Sequence, residues 1–92
     1  MSSLKIRVPN RGAIVESIRN AFIEMAGSLQ GSLNKDEAED CYYLACNDGI
    51  LLRWLPFMID EEFDIVAEGS ERIDYKQFYI LVFNLIEKYG LD

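Results

Sequence analysis

The chain has 92 residues, no histidine, and sixteen acidic against nine basic side chains, for a net charge of −7. That length fits one domain, and an apolar content of 50% suffices for a core. The acidity disfavours nucleic acid and anionic membranes as partners, and the lack of histidine removes the commonest general base and transition-metal ligand.

Residues 1–11 read as a basic tail carrying Lys5, Arg7 and Arg11, and Pro9 argues against a helix before it. The folded domain is expected over 12–90. The first helix should run from about Arg11 to Met25, with Ile14, Ile18, Phe22 and Met25 recurring at helical spacing. A second should run from about Lys35 or Asp36 to Cys46, with Cys41, Tyr42 and Ala45 on one side. Asp36 and Glu37 in its first turn suit the helix dipole, and Gly49 is placed as a left-handed stop. Between Ile50 and Leu55 the sequence suggests a hinge or short helical turn. Pro56 then opens a third helix bearing Ile59, Phe63 and Val66. A fourth, from Asp74 to about Tyr89, carries Phe78, Leu81, Val82 and Leu85 on one face. Tyr75, Tyr79, Ile80, Phe83 and Ile86 crowd its other faces, so it needs cover nearly all round. The fold class expected is therefore all-α.

The connection between the first two helices is Ala26-Gly27-Ser28-Leu29-Gln30-Gly31-Ser32-Leu33-Asn34-Lys35-Asp36-Glu37. It has glycine at its sixth place, an aliphatic residue at its eighth and glutamate at its twelfth. A calcium-binding loop is built to that plan: the glycine allows a sharp turn and the glutamate grips the ion with both oxygens. Further on, Arg72-Ile73-Asp74-Tyr75-Lys76-Gln77-Phe78 looks like the second half of such a loop, with Ile73 at the eighth place and Gln77 at the twelfth. On these motifs the chain resembles the EF-hand superfamily, in its calmodulin-like branch. The resemblance implies paired helix–loop–helix units joined by a short antiparallel bridge between Leu33 and Ile73. It also implies a core of Ile18, Phe22, Met25, Leu33, Phe63, Ile73, Phe78 and Leu81.

The ligand places depart from that family. Ala26 offers no side-chain oxygen; Ser28, Gln30 and Asn34 are neutral; Ser32 would give a backbone carbonyl; only Glu37 is charged. Gln77 replaces the second bidentate glutamate with an amide. Calcium affinity falls with ligand charge, so the expectation is a degenerate pair of loops with no metal and no cofactor.

Calcium-independent EF-hand proteins commonly hold an amphipathic helix in a groove. The resemblance thus implies a light-chain-like adaptor for a basic, IQ-like helix of a larger partner such as an unconventional myosin. Tyr42, Trp54, Phe57, Met58, Phe83 and Ile86 are the residues expected to line that groove, with Glu39, Asp40, Glu61 and Glu62 as an acidic rim. The residues themselves leave Trp54 and Phe57 open between capping the core and meeting a partner. The length and the long gap between Glu37 and Phe63 also resemble S100 proteins, which form homodimers, although their first loop is two residues longer. A weak calcium sensor is a further alternative.

Catalysis is not expected: serines and cysteines lack a base partner, and Asp36/Glu37 and Glu61/Glu62 sit where helix ends place solvated charge. Cys41 and Cys46 point roughly 140° apart on a helix, so they are read as buried, reduced thiols. With no run of roughly eighteen apolar residues and no apolar leader, membrane insertion is not expected and a cytoplasmic location is.

Overall fold

Four α-helices carry the chain in the computed structural model, which describes residues 11–49, 51 and 54–89. They are α1 (Arg11–Ala26), α2 (Lys35–Ala45), α3 (Pro56–Ala67) and α4 (Tyr75–Tyr89), and one 3-10 turn, Cys46–Asp48, extends α2. The all-α class holds: the described residues contain no strand, only a single antiparallel bridge between Leu33 and Ile73. Arg11 is the first residue of α1, where the sequence places the start of that helix. The expected tail over 1–10, and residues 50, 52 and 53 of the expected hinge, lie outside the described residues.

The ends of α1, α2 and α3 have local causes. α1 stops at Gly27, whose φ of +92° is left-handed and whose N–H reaches the Ile23 carbonyl at 2.8 Å. The extension of α2 stops at Gly49, left-handed at φ +74°, as its sequence position predicts. Pro56 opens α3 at its first position, where the missing N–H costs nothing. α3 then ends on two left-handed residues, Glu68 (φ +50°) and Gly69 (φ +92°).

Gly31 corrects the sequence reading. It does not take a left-handed φ, as Gly27 does; its N–H closes the turn from Ser28 by donating to the Ser28 carbonyl at 3.2 Å. Gly31 is needed because a Cβ there would lie 2.7 Å from the Ala26 carbonyl oxygen. The glycine at the sixth place therefore ends a turn and permits a close approach of backbone, without needing a left-handed φ.

α1 packs on α2 and α3 on α4, while α2 against α3 and α1 against α4 close the ring. The core inside is Ile14, Ile18, Phe22, Leu33, Cys41, Tyr42, Ile59, Phe63, Ile73, Phe78, Leu81, Val82 and Leu85, with smaller side chains between them. Met25 is only half-buried and packs against its edge. Phe22 and Phe78 meet across α1 and α4 with ring centroids 6.0 Å apart, and Tyr75 sets its ring against Phe22 at 5.4 Å. Edge contacts of this kind add to plain area burial.

Candidate interaction surface

The two loops meet back to back through Leu33 and Ile73, whose N–H groups each donate to the other's carbonyl at 2.9 and 2.8 Å. Both loops then enter a helix through the same reciprocal cap. In the first, Asn34 Oδ1 accepts from the Glu37 N–H at 2.8 Å and Glu37 Oε1 accepts from the Asn34 N–H at 2.9 Å. In the second, Asp74 Oδ1 accepts from the Gln77 N–H at 2.8 Å and Gln77 Oε1 accepts from the Asp74 N–H at 2.9 Å. This is the capping box, satisfying helix-end donors that have no partner in the helix.

The twelfth-place side chains thus serve as helix caps. Glu37 also receives the Arg72 guanidinium at 3.2 Å, and the same group donates to Ser32 Oγ at 2.6 Å and to the Ser32 carbonyl at 3.0 Å. Ser28 takes the N–H of Gln30 at 3.1 Å, a local turn. Of the expected ligand places, Ser32 and Glu37 are therefore drawn together, by an arginine. Ser28 and Gln30 pair with each other, and Asn34 is the helix cap. Gln77 uses its amide differently: Nε2 donates to the Val66 carbonyl at 2.9 Å, in the last turn of α3. Among the described residues, no group of three or more His, Cys, Asp or Glu side chains is placed to hold a metal ion.

Arg72 was not singled out by sequence reasoning. Its signal was available: once Ile73 is set opposite Leu33, the antiparallel register puts Arg72 opposite Asn34, with Ser32 diagonal to it on the same face.

The apolar surface lies away from the loops. Leu55 and Phe57 are 58% and 57% exposed. Met58 shares the first turn of α3 with Phe57 and is half-buried. Trp54 sets its ring 5.3 Å from Tyr89 at the end of α4, and its carbonyl accepts from the Tyr43 hydroxyl at 2.6 Å. Its indole Nε1 is buried and meets no acceptor among the described residues. On the α1 side of α4, Phe83 lies 4.8 Å from Tyr79, with the Arg11 guanidinium 4.5 Å above its ring. Arg11, Phe83, Ile86 and Glu87 line a hollow of about 230 Å³ there.

Two expectations fail. Tyr42 is 0% exposed and belongs to the core, not to a surface groove. The buried stripe of α2 is Ala38, Cys41, Tyr42 and Ala45, and a side chain on that stripe has no outward face to offer. Burial raises its phenol well above the ordinary value. Glu62, expected on the acidic rim, is 2% exposed and lies on the inward face of α3 with Ile59 and Phe63. Lys88 of α4 pairs with it, and that hydrogen bond raises the lysine's pKa. A buried carboxylate is tolerable only with such a partner. The rim is reduced to Asp40 and Glu61, with Glu39 half-buried behind them. Glu39 is pushed up to about 7 by a hydrogen bond to Asp60 of α3, helped by burial and by the charges of Asp60, Asp36 and Asp40.

Comparison with family models, with curated proteins and with solved structures finds no significant match to this chain. No described helix is long and apolar enough to cross a membrane.

Proposed function

We propose that this chain is a calcium-independent adaptor of EF-hand type, a light-chain-like lobe that holds a basic amphipathic helix of a larger cytoplasmic partner, such as an IQ-like helix of an unconventional myosin. The observation that carries this reading is the apolar surface at the start of α3, where Leu55 and Phe57 stand more than half exposed beside Trp54. Exposed clusters of large apolar residues mark interfaces, and Trp is enriched among the residues that dominate binding energy. The net charge of −7 selects a basic partner, and Asp40 and Glu61 remain at the surface to steer it. Independence from calcium is supported by the loop ends, where Arg72 ties the second loop to Glu37 of the first and the Gln77 amide joins the two ends of its own loop. The Leu33–Ile73 bridge supports the pairing of two EF-hand-like units. The proposal assigns no catalytic step.

The test uses Trp54, the only tryptophan. Titrating an IQ-like peptide in chelator should shift its emission to the blue. Trp54→Ala should cost roughly 2 kcal/mol or more of affinity, the scale of an interface hot spot. An emission that ignores every basic helix sinks the proposal.

A second reading, an S100-like homodimer, is favoured by one observation. Ile65 on α3 and Ile80 on α4 are exposed, so the lobe does not cover α4 all round. A dimeric mass by analytical ultracentrifugation, unchanged by peptide, would select it.

A further inference from the structure

Between α1 and α2 runs a cleft made of two hollows, of about 220 and 460 Å³, that share Glu24, Leu44 and Asn47. In the larger hollow Met25, Tyr43 and Leu44, each half-buried, form an apolar floor. Glu24 of α1 and Asp40 of α2 stand exposed at its edges. Among the described residues, no basic side chain lines either hollow. The bases of the two helices are engaged elsewhere. The Arg11 guanidinium lies over the Phe83 ring, the Arg19 charge acts on Tyr75 of α4, and Lys35 pairs with Asp64 of α3 at 2.9 Å. Glu24 and Asp40 thus enter no ion pair among the described residues.

Carboxylates from two helices at the edges of one apolar cleft concentrate a negative field over it. A lysine or arginine matches both parts of that surface. Its aliphatic stem covers apolar floor while its charged head stays in water beside the carboxylates. A neutral or acidic segment gains nothing from Glu24 and Asp40, and an acidic one is repelled. The cleft also adjoins the apolar surface at the start of α3. Tyr43 lines the cleft and donates its hydroxyl to the Trp54 carbonyl at 2.6 Å.

We propose that the cleft between α1 and α2 seats lysine or arginine side chains of a basic partner helix, with their stems on Met25, Tyr43 and Leu44 and their charges between Glu24 and Asp40. In naming where the partner's charge goes, the inference rests on the adaptor reading. The partner's apolar residues meet Trp54, Leu55 and Phe57, and its bases reach past Tyr43 into the cleft.

The test uses the full chain with methyl-labelled methionine and a helical peptide of leucine and lysine as the probe. Met25 lines the cleft and Met58 lies beside Phe57, so each surface carries its own reporter. Both methyl signals should shift with one midpoint. Movement of Met58 alone overturns the cleft and leaves the adaptor surface standing. Movement of Met25 alone keeps the cleft and removes the adaptor surface. Movement of neither overturns both. The role of charge is read from affinity. Glu24→Gln with Asp40→Asn should weaken peptide binding about tenfold, as the loss of two surface ion pairs would. Glu68→Gln with Glu71→Gln removes the same charge from exposed residues outside the cleft, and at physiological salt should change affinity by less than about twofold. Equal losses in the two variants overturn the proposal, because net charge alone then accounts for the attraction.

Discussion

The two loops solve one problem in opposite ways. Each must join the end of one helix to the start of the next and leave no helix-end donor stranded. The first places a carboxylate, Glu37, at the helix entry and brings a cation to it from the other loop, Arg72, through contacts that also hold Ser32. The second places an amide, Gln77, at the same point. That amide caps the helix with its oxygen and uses its nitrogen to reach the Val66 carbonyl at the other end of its own loop. A carboxylate only accepts, so it needs a donor from elsewhere; an amide both accepts and donates, so it closes its loop unaided. The first loop is therefore dependent on the second, and the second is self-sufficient.

The largest effect should come from breaking what both loops share. Phe22 leads into the first loop and Phe78 leads out of the second, and their rings touch. Phe22→Ala and Phe78→Ala should each destabilise by roughly 3–5 kcal/mol. The double variant should cost less than the sum, since the partners are in contact. Denaturant melts test this; a midpoint near the parent's for either single variant contradicts the packing.

Exchanging the two twelfth-place residues sharpens the contrast. Gln77→Glu keeps the cap but removes the donor to Val66 and points an anion at the carbonyl end of α3. About 1–3 kcal/mol should be lost. Glu37→Gln keeps the cap and weakens only the pair with Arg72, whose side chains are 50% and 41% exposed. Exposed pairs contribute little, so about 0.5 kcal/mol or less is expected. Thermal melts of the two variants side by side would show this order; equal losses would remove the asymmetry.

A smaller effect belongs to the contact between α2 and α3. The carboxyl of Glu39 is pushed up to about 7 by the hydrogen bond to Asp60. The folded state holds that proton more tightly than the unfolded chain does. Its contribution is present below the ordinary carboxylate range and is lost as pH rises through about 7. After allowance for solvent screening this is about 1 kcal/mol. The melting temperature should fall between pH 5 and 8, and Glu39→Gln should flatten the fall; a parent profile that is flat or rises with pH contradicts it. The least change is expected at the thiols. Cys41 is buried and pushed up to about 12, so a thiol reagent should leave it unmodified in the native protein by mass spectrometry.

What the sequence revealed was whatever depends on neighbours in the chain. The stripe Ile14, Ile18, Phe22, the stop at Gly49 and the start at Pro56 are local signals, and all three stand in the structure. The bridge of Leu33 with Ile73 was what the resemblance of the two loops to a known loop plan implied, and the structure contains it. Tyr42 was legible as well, since its own stripe with Cys41 and Ala45 put it inward, and the groove assignment ignored that. Glu62 was harder. Its spacing from Ile59 and Val66 is helical, but only a lysine 26 residues away on α4 makes its burial tolerable. Arg72 has partners as remote, Ser32 and Glu37 lying 40 and 35 residues away in the chain, and was legible only through the pairing of Leu33 with Ile73.

The bridge between Leu33 and Ile73 also bears on the order of assembly. It joins residues forty apart, so closing it from an open chain costs roughly 3 kcal/mol of loop entropy for two backbone hydrogen bonds. The helix pairs α1–α2 and α3–α4 are each joined by a short connection and close over far fewer residues. Local closure is the cheaper first event. Each helical hairpin therefore forms ahead of the seam between them, and the seam, with the Arg72 clasp beside it, locks late. A change at Arg72 should then act on the rate of unfolding and leave the rate of folding nearly as it was.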